Sequence, residues 1–182
     1  MFVRFCFLAF IALGLCCGFS EFQPTQAQTN DKTVGDPDNK FTLTLPNDDW
    51  QAIEITNGVS RKQIEIVYKK IREDGLLKIR RVEVEKGSKL IDASRRDESQ
   101  SLTFLPGYTK GALEEFTVSG GKIPAIMTAY DFTQGGRPKM GRNYYLMVDE
   151  TTVYVLRFTG NRDTMKALRS QTDLITRSFK MK

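Results

Sequence analysis

The stretch TTVYVLRFTGNRDTMKALRSQTDLITRSFK, residues 151–180, contains two hydrophobic periodicities. Up to Gly160 apolar residues alternate, with Tyr154, Leu156 and Phe158 on one face, as in a β-strand. Beyond Asn161 the apolar positions recur every three or four residues, as on one face of a helix. Those positions are Met165, Leu168, Thr172, Ile175 and Phe179. The stretch predicts a strand followed by a helix that packs on a sheet, with Asn161 or Asp163 capping the helix.

Alternating and apolar segments upstream predict the rest of the sheet. FTLTLP at 41–46 alternates without a break, which is typical of a half-buried strand. Further strands are predicted over 63–71, 76–85, 115–119, 123–132 and 143–148, with 123–132 central. Within 76–85 the apolar phase shifts between Ile79 and Val82, which predicts a β-bulge near Arg80-Arg81. We interpret that arginine pair as a charged strand edge, with an anion site as the alternative.

A helix is predicted over 88–104, with Ser88 as its N-cap and Pro106-Gly107 as its stop. Its apolar stripe is thin: Leu90, Ile91, Leu102 and Leu105. The charged run at 95–98 is interpreted as its solvated outer face.

The N-terminal segment has the features of an export leader. Arg4 precedes an apolar run of about fifteen residues, which is shorter than the roughly 20 that a membrane span requires. We predict a signal peptide over 1–27, cleaved after Ala27, a flexible linker over 28–40 and one domain over 41–182. A retained membrane anchor and a lipid anchor on Cys16 or Cys17 remain the alternatives. Membrane association is expected only if the leader is retained.

Cleavage would restrict the chemistry of the mature protein. The chain has no histidine, and its three cysteines all lie in the predicted leader. A mature chain without thiol or imidazole can form neither a Ser-His-Asp nor a Cys-His arrangement, and it lacks the usual nitrogen and sulfur ligands of zinc. We therefore predict no cofactor, no metal and no catalytic residue. The net charge of +5 comes from interspersed charges of both signs, and together with export this argues against a nucleic-acid partner.

Six residues are candidate ligand or partner contacts. The connection at 133–142 contains glycines and three basic residues, Arg137, Lys139 and Arg142, so it could hold an anion at an exposed hairpin tip. The aromatic residues Trp50, Tyr144 and Tyr145 could line a groove for a small molecule or lipid.

The motifs FTLTLPNDDW at 41–50, FTG at 158–160 and ITRSFK at 175–180, with the strand order between them, resemble a known family over 41–182. It comprises extracytoplasmic domains related to the photosystem II extrinsic P protein (PsbP-like), DcrB-like bacterial envelope proteins and a Ran-binding nuclear import factor. The resemblance implies an α+β fold, a central antiparallel sheet flanked by helices as an α/β/α sandwich. It also implies non-enzymatic assembly, stabilising or docking roles. The metal-binding histidines of the photosynthetic branch have no counterpart here.

These inferences predict an exported, extracytoplasmic (periplasmic or secreted) accessory module of the cell envelope with an unidentified protein partner. One alternative is a carrier that binds a small molecule or lipid in a groove between sheet and helix. The other is a hydrolase using two of the acids that flank the hairpin, Asp131, Asp149 and Glu150.

Overall fold

The computed structural model describes residues 32–36, 38, 40–57 and 61–182. The strands are β1 Lys32–Gly35, β2 Phe41–Leu45, β3 Trp50–Asn57, β4 Arg61–Tyr68, β5 Leu76–Glu83, β6 Thr109–Val118, β7 Ile123–Gln134, β8 Arg137–Met147, β9 Thr152–Asn161 and β10 Lys180–Met181. The helices are α1 Leu90–Asp97, continued by a π-helical turn over Glu98–Leu102, then α2 Arg162–Ala167 and α3 Arg169–Arg177.

The main sheet has seven antiparallel strands in the order β3-β4-β5-β9-β8-β7-β6. A small antiparallel sheet, β1-β2-β10, packs with α2 and α3 on one face of it, which we call the front face. Helix α1 packs on the opposite, back face. The fold is therefore α+β with helices on both faces of an antiparallel sheet, as expected. Strand β7 is apolar on both faces but lies second from the edge, since β6 pairs outside it.

The closing helix packs on the front face as its periodicity predicts. All five residues of the stripe are buried: Met165, Leu168, Thr172, Ile175 and Phe179. The helix is divided at Leu168, where φ is −85° and ψ is 5°, and Phe179 lies beyond the end of α3. Asn161 is the N-cap residue of α2, but its side chain makes no capping hydrogen bond. That side chain bonds Lys139 and Asp74 instead.

Strand β2 buries alternate residues as predicted, but it belongs to the small sheet. It pairs with two residues of β10 on one edge and with the four residues of β1 on the other. Strand β1 lies within the segment that was expected to be a flexible linker, 28–40. The reason is that β2 has a second backbone edge, opposite the one that β10 uses, and β1 pairs along it while burying Val34.

The β-bulge expected near Arg80-Arg81 is absent, because β5 pairs with β9 in unbroken register from Leu76 to Glu83. The phase shift has another cause. Leu77 packs in the front core, whereas Val82 packs on the back face beside α1. Along β5 the packed apolar side chains therefore change from the front face to the back face. The main sheet does contain an irregularity in β6, between Lys110 and Leu113.

The helix predicted over 88–104 begins later and changes type. Lys89 occupies the N-cap position without a side-chain cap bond, so Ser88 is not the cap. Beyond Asp97 the helix continues as the π turn. The expectation that 95–98 forms a solvated face was wrong for Asp97, which is buried because it accepts hydrogen bonds from groups on the sheet below it.

The predicted leader, with its cysteines, lies outside the described residues. Within the part of the chain that is described, no helix is both long enough and apolar enough to cross a bilayer.

Candidate functional site

Trp50 is a core residue at the start of β3, with 1% of its surface exposed. Its indole Nε1 donates to Oε1 of Gln171 on α3 at 2.7 Å, which ties the end of the sheet to the closing helix. The indole ring lies 6.1 Å from the Phe158 ring in an edge-on arrangement. Such packing fills space in the core and leaves no indole face open to a ligand.

Tyr144 and Arg142 belong to a polar cluster that joins β8 to α3 on the front face. The Tyr144 hydroxyl donates to Oδ1 of Asp173 at 2.6 Å, and Arg142 bonds both of these groups at 2.9 and 3.0 Å. Burial raises the pKa of Tyr144, so this hydroxyl keeps its proton. Burial alone would lower the pKa of Arg142, but Tyr144 and Asp173 more than offset it. The cluster is internally paired.

Tyr145 points to the opposite face, since neighbouring residues of a strand alternate. Its hydroxyl donates to Oδ2 of Asp97 at 2.8 Å and accepts from the amide of Asn143 at 3.1 Å. Burial, followed by the charge of Asp97, raises the pKa of Tyr145. The three aromatic candidates therefore do not line one groove: Trp50 and Tyr144 lie in the front core and Tyr145 lies under α1.

The three basic candidates do not share a hairpin tip. Strands β7 and β8 pair as far as Gln134 and Arg137, which leaves Gly135-Gly136 as the whole connection. Arg137 lies at the tip and forms an ion pair with Glu73 at 3.3 Å. Lys139 and Arg142 face inward from the paired strand and are 5% and 3% exposed. The expected exposed tip at 133–142 was wrong because the hairpin pairs almost to its end.

A cleft lies on the front side between the irregular part of β6 and the helices α2 and α3. We call it the sheet–helix cleft; its volume is about 360 Å³. Ala129, Met140 and Met165 give it an apolar lining, and Arg142 is the one candidate residue that reaches it. An exposed ion pair between Arg169 and Glu114, 3.0 Å long, lies at this cleft.

A second cleft opens inside the main sheet, between β4 and β5. These strands pair over just three residue pairs, from Glu65↔Lys78 to Val67↔Leu76, although β5 pairs with β9 along its whole length. The opening, which we call the edge cleft, has a volume of about 480 Å³. Ile79, Arg80 and Arg81 line one side of it. The predicted charged strand edge was wrong, because β5 lies inside the sheet between β4 and β9; the backbone beside the arginine pair is unpaired on the β4 side alone.

Two buried carboxylates on the back face beside the edge cleft are each shared by two cations. Glu65 lies 3.2 Å from Arg72 and 3.4 Å from Lys78. Asp97 binds Arg80 and lies 2.7 Å from Arg157. Burial acts to raise the pKa of Asp97, but the charge of Arg157 and the bonds from Tyr145 and Arg80 hold it below its ordinary value.

Sequence reasoning missed this network, although one signal was available. Leu90, Ser94 and Asp97 are spaced four and three residues apart and are the buried residues of α1. The same helical spacing that identifies an apolar stripe therefore places Asp97 on the covered face. Nothing local indicates Arg157 or Glu65 as members, because Arg157 pairs with Asp97 on α1 and Glu65 pairs with Lys78 on β5.

Asp131 lies too far from Asp149 and Glu150 to form the acid pair of the hydrolase alternative with either of them. Asp131 pairs opposite Met140 near one end of β8, whereas Asp149 follows the other end. At about 3.4 Å per residue, more than 20 Å separate them, and paired glycosidase carboxylates lie within about 10 Å. Among the described residues, no group of three His, Cys, Asp or Glu side chains could hold a metal ion.

No protein-family model matches this sequence, and no curated protein matches it significantly. Solved structures do resemble it. The crystal structure of LpqN, involved in cell envelope biogenesis of Mycobacterium tuberculosis, has a TM-score of 0.61 at 15% identity, covering 83% of this chain and 90% of LpqN. The solution structure of the cyanobacterial PsbP (CyanoP) of Synechocystis sp. PCC 6803 has a TM-score of 0.58 at 14% identity, covering 93% and 99%.

The Saccharomyces cerevisiae Ran-binding protein Mog1p has a TM-score of 0.55 at 13% identity, covering 84% of this chain and 95% of Mog1p. At these identities the likeness shows a shared fold alone. The chain has the PsbP-like fold, which confirms the resemblance found in its motifs.

Proposed function

We propose that this chain is an exported, non-enzymatic accessory module of the cell envelope that assembles, stabilises or docks a protein partner. The observation that carries the proposal is the edge cleft, where the ladder of the main sheet opens beside exposed cations. An unpaired strand edge is a template for another chain. The involvement of LpqN in cell envelope biogenesis and the Ran binding of Mog1p agree with an interaction module. The predicted leader, cleaved after Ala27, would place it outside the cytoplasm.

The pKa shifts of the residues that the structure describes support a non-enzymatic role. The carboxyl pKa values that shift, those of Asp97, Glu98 and Asp149, all fall. The tyrosine pKa values that shift all rise; that of Tyr130 reaches about 12, mainly because of burial. Each of these shifts takes the pKa of the group further from pH 7, whereas a general acid or base works best with a pKa near the working pH.

Cross-linking in the native cells tests this role. A photoreactive side chain replaces Glu83, which is exposed at the end of β5, and the matched control carries it at Leu174, exposed on α3. We expect the Glu83 position to give one discrete adduct with an envelope protein, and the Leu174 position to lack it. Intact mass should show a chain beginning at Gln28. A chain that retains Met1 in the cytoplasm, or adducts that do not differ between the positions, would contradict the proposal.

A small-molecule or lipid carrier is the second candidate, and the sheet–helix cleft favours it. Its volume of about 360 Å³ falls within the range of about 300–1,000 Å³ typical of ligand pockets. Native mass spectrometry of protein isolated from its own cells should then show a retained ligand. Ala112→Trp, which fills the cleft from an exposed position of β6, should remove that ligand. Identical spectra for the two proteins would exclude a carrier that uses this cleft.

A further inference from the structure

We propose that the edge cleft binds an extended segment of a protein partner in which acidic and apolar residues alternate, and that this segment pairs as a strand with the open half of β5. This inference rests on the proposed interaction role and specifies the chemistry of its partner. The ladder between β4 and β5 stops after three residue pairs while both strands continue, which leaves the β4 side of β5 free for such a segment.

The backbone of β5 presents hydrogen-bonding groups to the cleft. The amide of Tyr68 donates to the carbonyl of Gly75 at 2.8 Å, so Gly75 faces β4. Backbone groups of an antiparallel strand point alternately to its two neighbours, and therefore Leu77, Ile79 and Arg81 also face the β4 side. Leu77 pairs with Ile66 there. From Ile79 onward no residue of the described part of the chain continues this ladder.

The back side of the cleft favours carboxylates. Arg72, Lys78, Arg80 and Arg157 share two buried carboxylates, which leaves a surplus of two positive charges. Lys78 and Arg80 are about half exposed. They lie two residues, or about 7 Å, apart on one face of β5. An acidic residue of an added strand would lie directly opposite Arg80 and diagonally within reach of Lys78, which itself pairs with Glu65 at the end of the ladder.

The front side of the cleft favours apolar side chains. Ile64 and Ile79 are partly buried against the front core, and both line the cleft. Asp36, Asp38 and Lys40, from the segment between β1 and β2, also line it; Asp38 pairs with Lys40 at 3.0 Å, and the two aspartates disfavour acidic side chains on this side. Phe41 and Tyr154 close it from below, with their rings 5.3 Å apart. An added strand would place every second side chain on these residues. The two sides together therefore select an alternation of acidic and apolar residues.

A second copy of this chain is a poor occupant. Pairing two β5 edges would bring Arg80 and Arg81 of each copy close to the same residues of the other, and like charges on neighbouring strands are destabilising. Exposed cations on an open edge prevent such self-pairing. The same cations attract a segment of opposite charge.

A peptide titration tests the inference. The probe is a peptide of about eight residues, the length of a strand, in which Glu alternates with Val. The control peptides carry the same residues as separate Glu and Val blocks, or Lys in place of Glu. With the ¹⁵N-labelled mature protein, we expect the alternating Glu peptide to shift the amide signals of Ile79, Arg81 and Glu83 and to slow hydrogen exchange at Arg81. Salt should weaken the binding.

Two matched pairs of variants separate backbone pairing from charge. Arg81→Pro removes the N–H that faces the cleft, whereas Arg81→Ala removes only the side chain, so the proline variant should bind about tenfold more weakly than the alanine variant. Lys78→Gln should weaken binding about threefold, whereas Lys86→Gln, at an exposed lysine elsewhere, should leave it unchanged. Thermal unfolding of each variant verifies that it is folded.

Several outcomes would overturn the inference. Equal binding of the block peptide would show that the alternation of acidic and apolar residues is not required. Shifts of amide signals confined to α3 would place the binding site at the sheet–helix cleft instead. Protection of the Arg81 amide before any peptide is added would mean that the cleft is already occupied. Protection that is lost on dilution would identify a second copy as the occupant, and protection that survives dilution would identify another part of this chain. A failed titration accompanied by cross-links from position 83 would retain the proposed interaction role and reject this partner chemistry.

Discussion

Asp97 joins α1 to the back face of the main sheet. Its carboxylate accepts hydrogen bonds from Arg80 and Arg157, which lie on β5 and β9, and from the hydroxyl of Tyr145 on β8. Removing one member of a buried, hydrogen-bonded charge cluster leaves the others without compensation. This residue therefore stabilises the packing of the helix on three strands.

Asp97→Asn should lower the free energy of unfolding by about 1–3 kcal/mol at pH 7, because the two arginines lose the negative charge that they share. Urea unfolding measures the change. Asp92→Asn is the matched control, since Asp92 lies on the same helix with its carboxylate exposed. Equal stability of the two variants would show that the cluster contributes nothing.

The same variant predicts a pH effect. The pKa of Asp97 lies below its ordinary value of 3.8 in the folded protein. Its contribution is therefore complete above the ordinary pKa and is lost as the pH falls through the lower, folded value. The stability difference between wild type and Asp97→Asn should thus remain constant from neutral pH to about pH 5 and shrink below about pH 4. A difference that persists in acid would contradict the pKa assignment.

At the scale of an element, the β7–β8 hairpin depends on its two-residue connection. Gly135 and Gly136 have φ values of +58° and +73°, the left-handed region in which both central residues of a type I′ turn lie. Because that turn matches the twist of the strands, pairing reaches Arg137 and holds Lys139 inside the paired region. The turn thus explains why the basic residues do not gather at an exposed tip.

Gly136→Val should lower the melting temperature, because a β-branched residue in the left-handed region costs about 1–2 kcal/mol or more. Gly135→Asn should have little effect, since asparagine tolerates this region and Asn-Gly is a preferred sequence for the turn. Thermal unfolding compares the two. If valine is tolerated as well as asparagine, the connection does not require this turn type.

At the scale of the whole molecule, the main sheet is paired unevenly. Strands β7, β8 and β9 pair continuously and carry the front core, whereas β3 and β4 join the rest of the sheet through the three residue pairs between β4 and β5. Local stability follows the density of such pairing and packing. The strands beside the edge cleft should therefore open more readily than the strands that pack on α3.

Native-state hydrogen exchange measures this difference. The amides of Tyr144 and Leu156 should exchange at least about tenfold more slowly than those of Ile64 and Ile79, whose N–H groups face the cleft. Amides of Ile53 and Ile55, which pair with β4 alone, are expected to be intermediate. Uniform protection across the sheet would show that it opens as one cooperative unit.

Much of the fold could be predicted from local pattern. The alternation of Phe41, Leu43 and Leu45 identified β2, and the spacing from Met165 to Ile175 identified the closing helix with its buried face. The position of β2 in a second sheet could not be inferred. The alternation indicates that one face of the strand is covered, but it does not indicate which element covers it. The phase shift in β5 was misread as a bulge for the same reason.

The sequence by itself determined the compartment prediction, the type of most elements, the absence of imidazole and the prediction that a cleaved chain has no thiol, since each depends on residues that are close along the chain or on composition. Only the tertiary structure decided that Lys139 and Arg142 face inward, that Asp97 is shared by two arginines and that β4 and β5 separate to form the edge cleft. Those outcomes depend on strand order and register, which bring together groups as far apart in sequence as Asp97 and Arg157. Local periodicity does not indicate such pairings, and the candidate site is formed by the residues that they bring together.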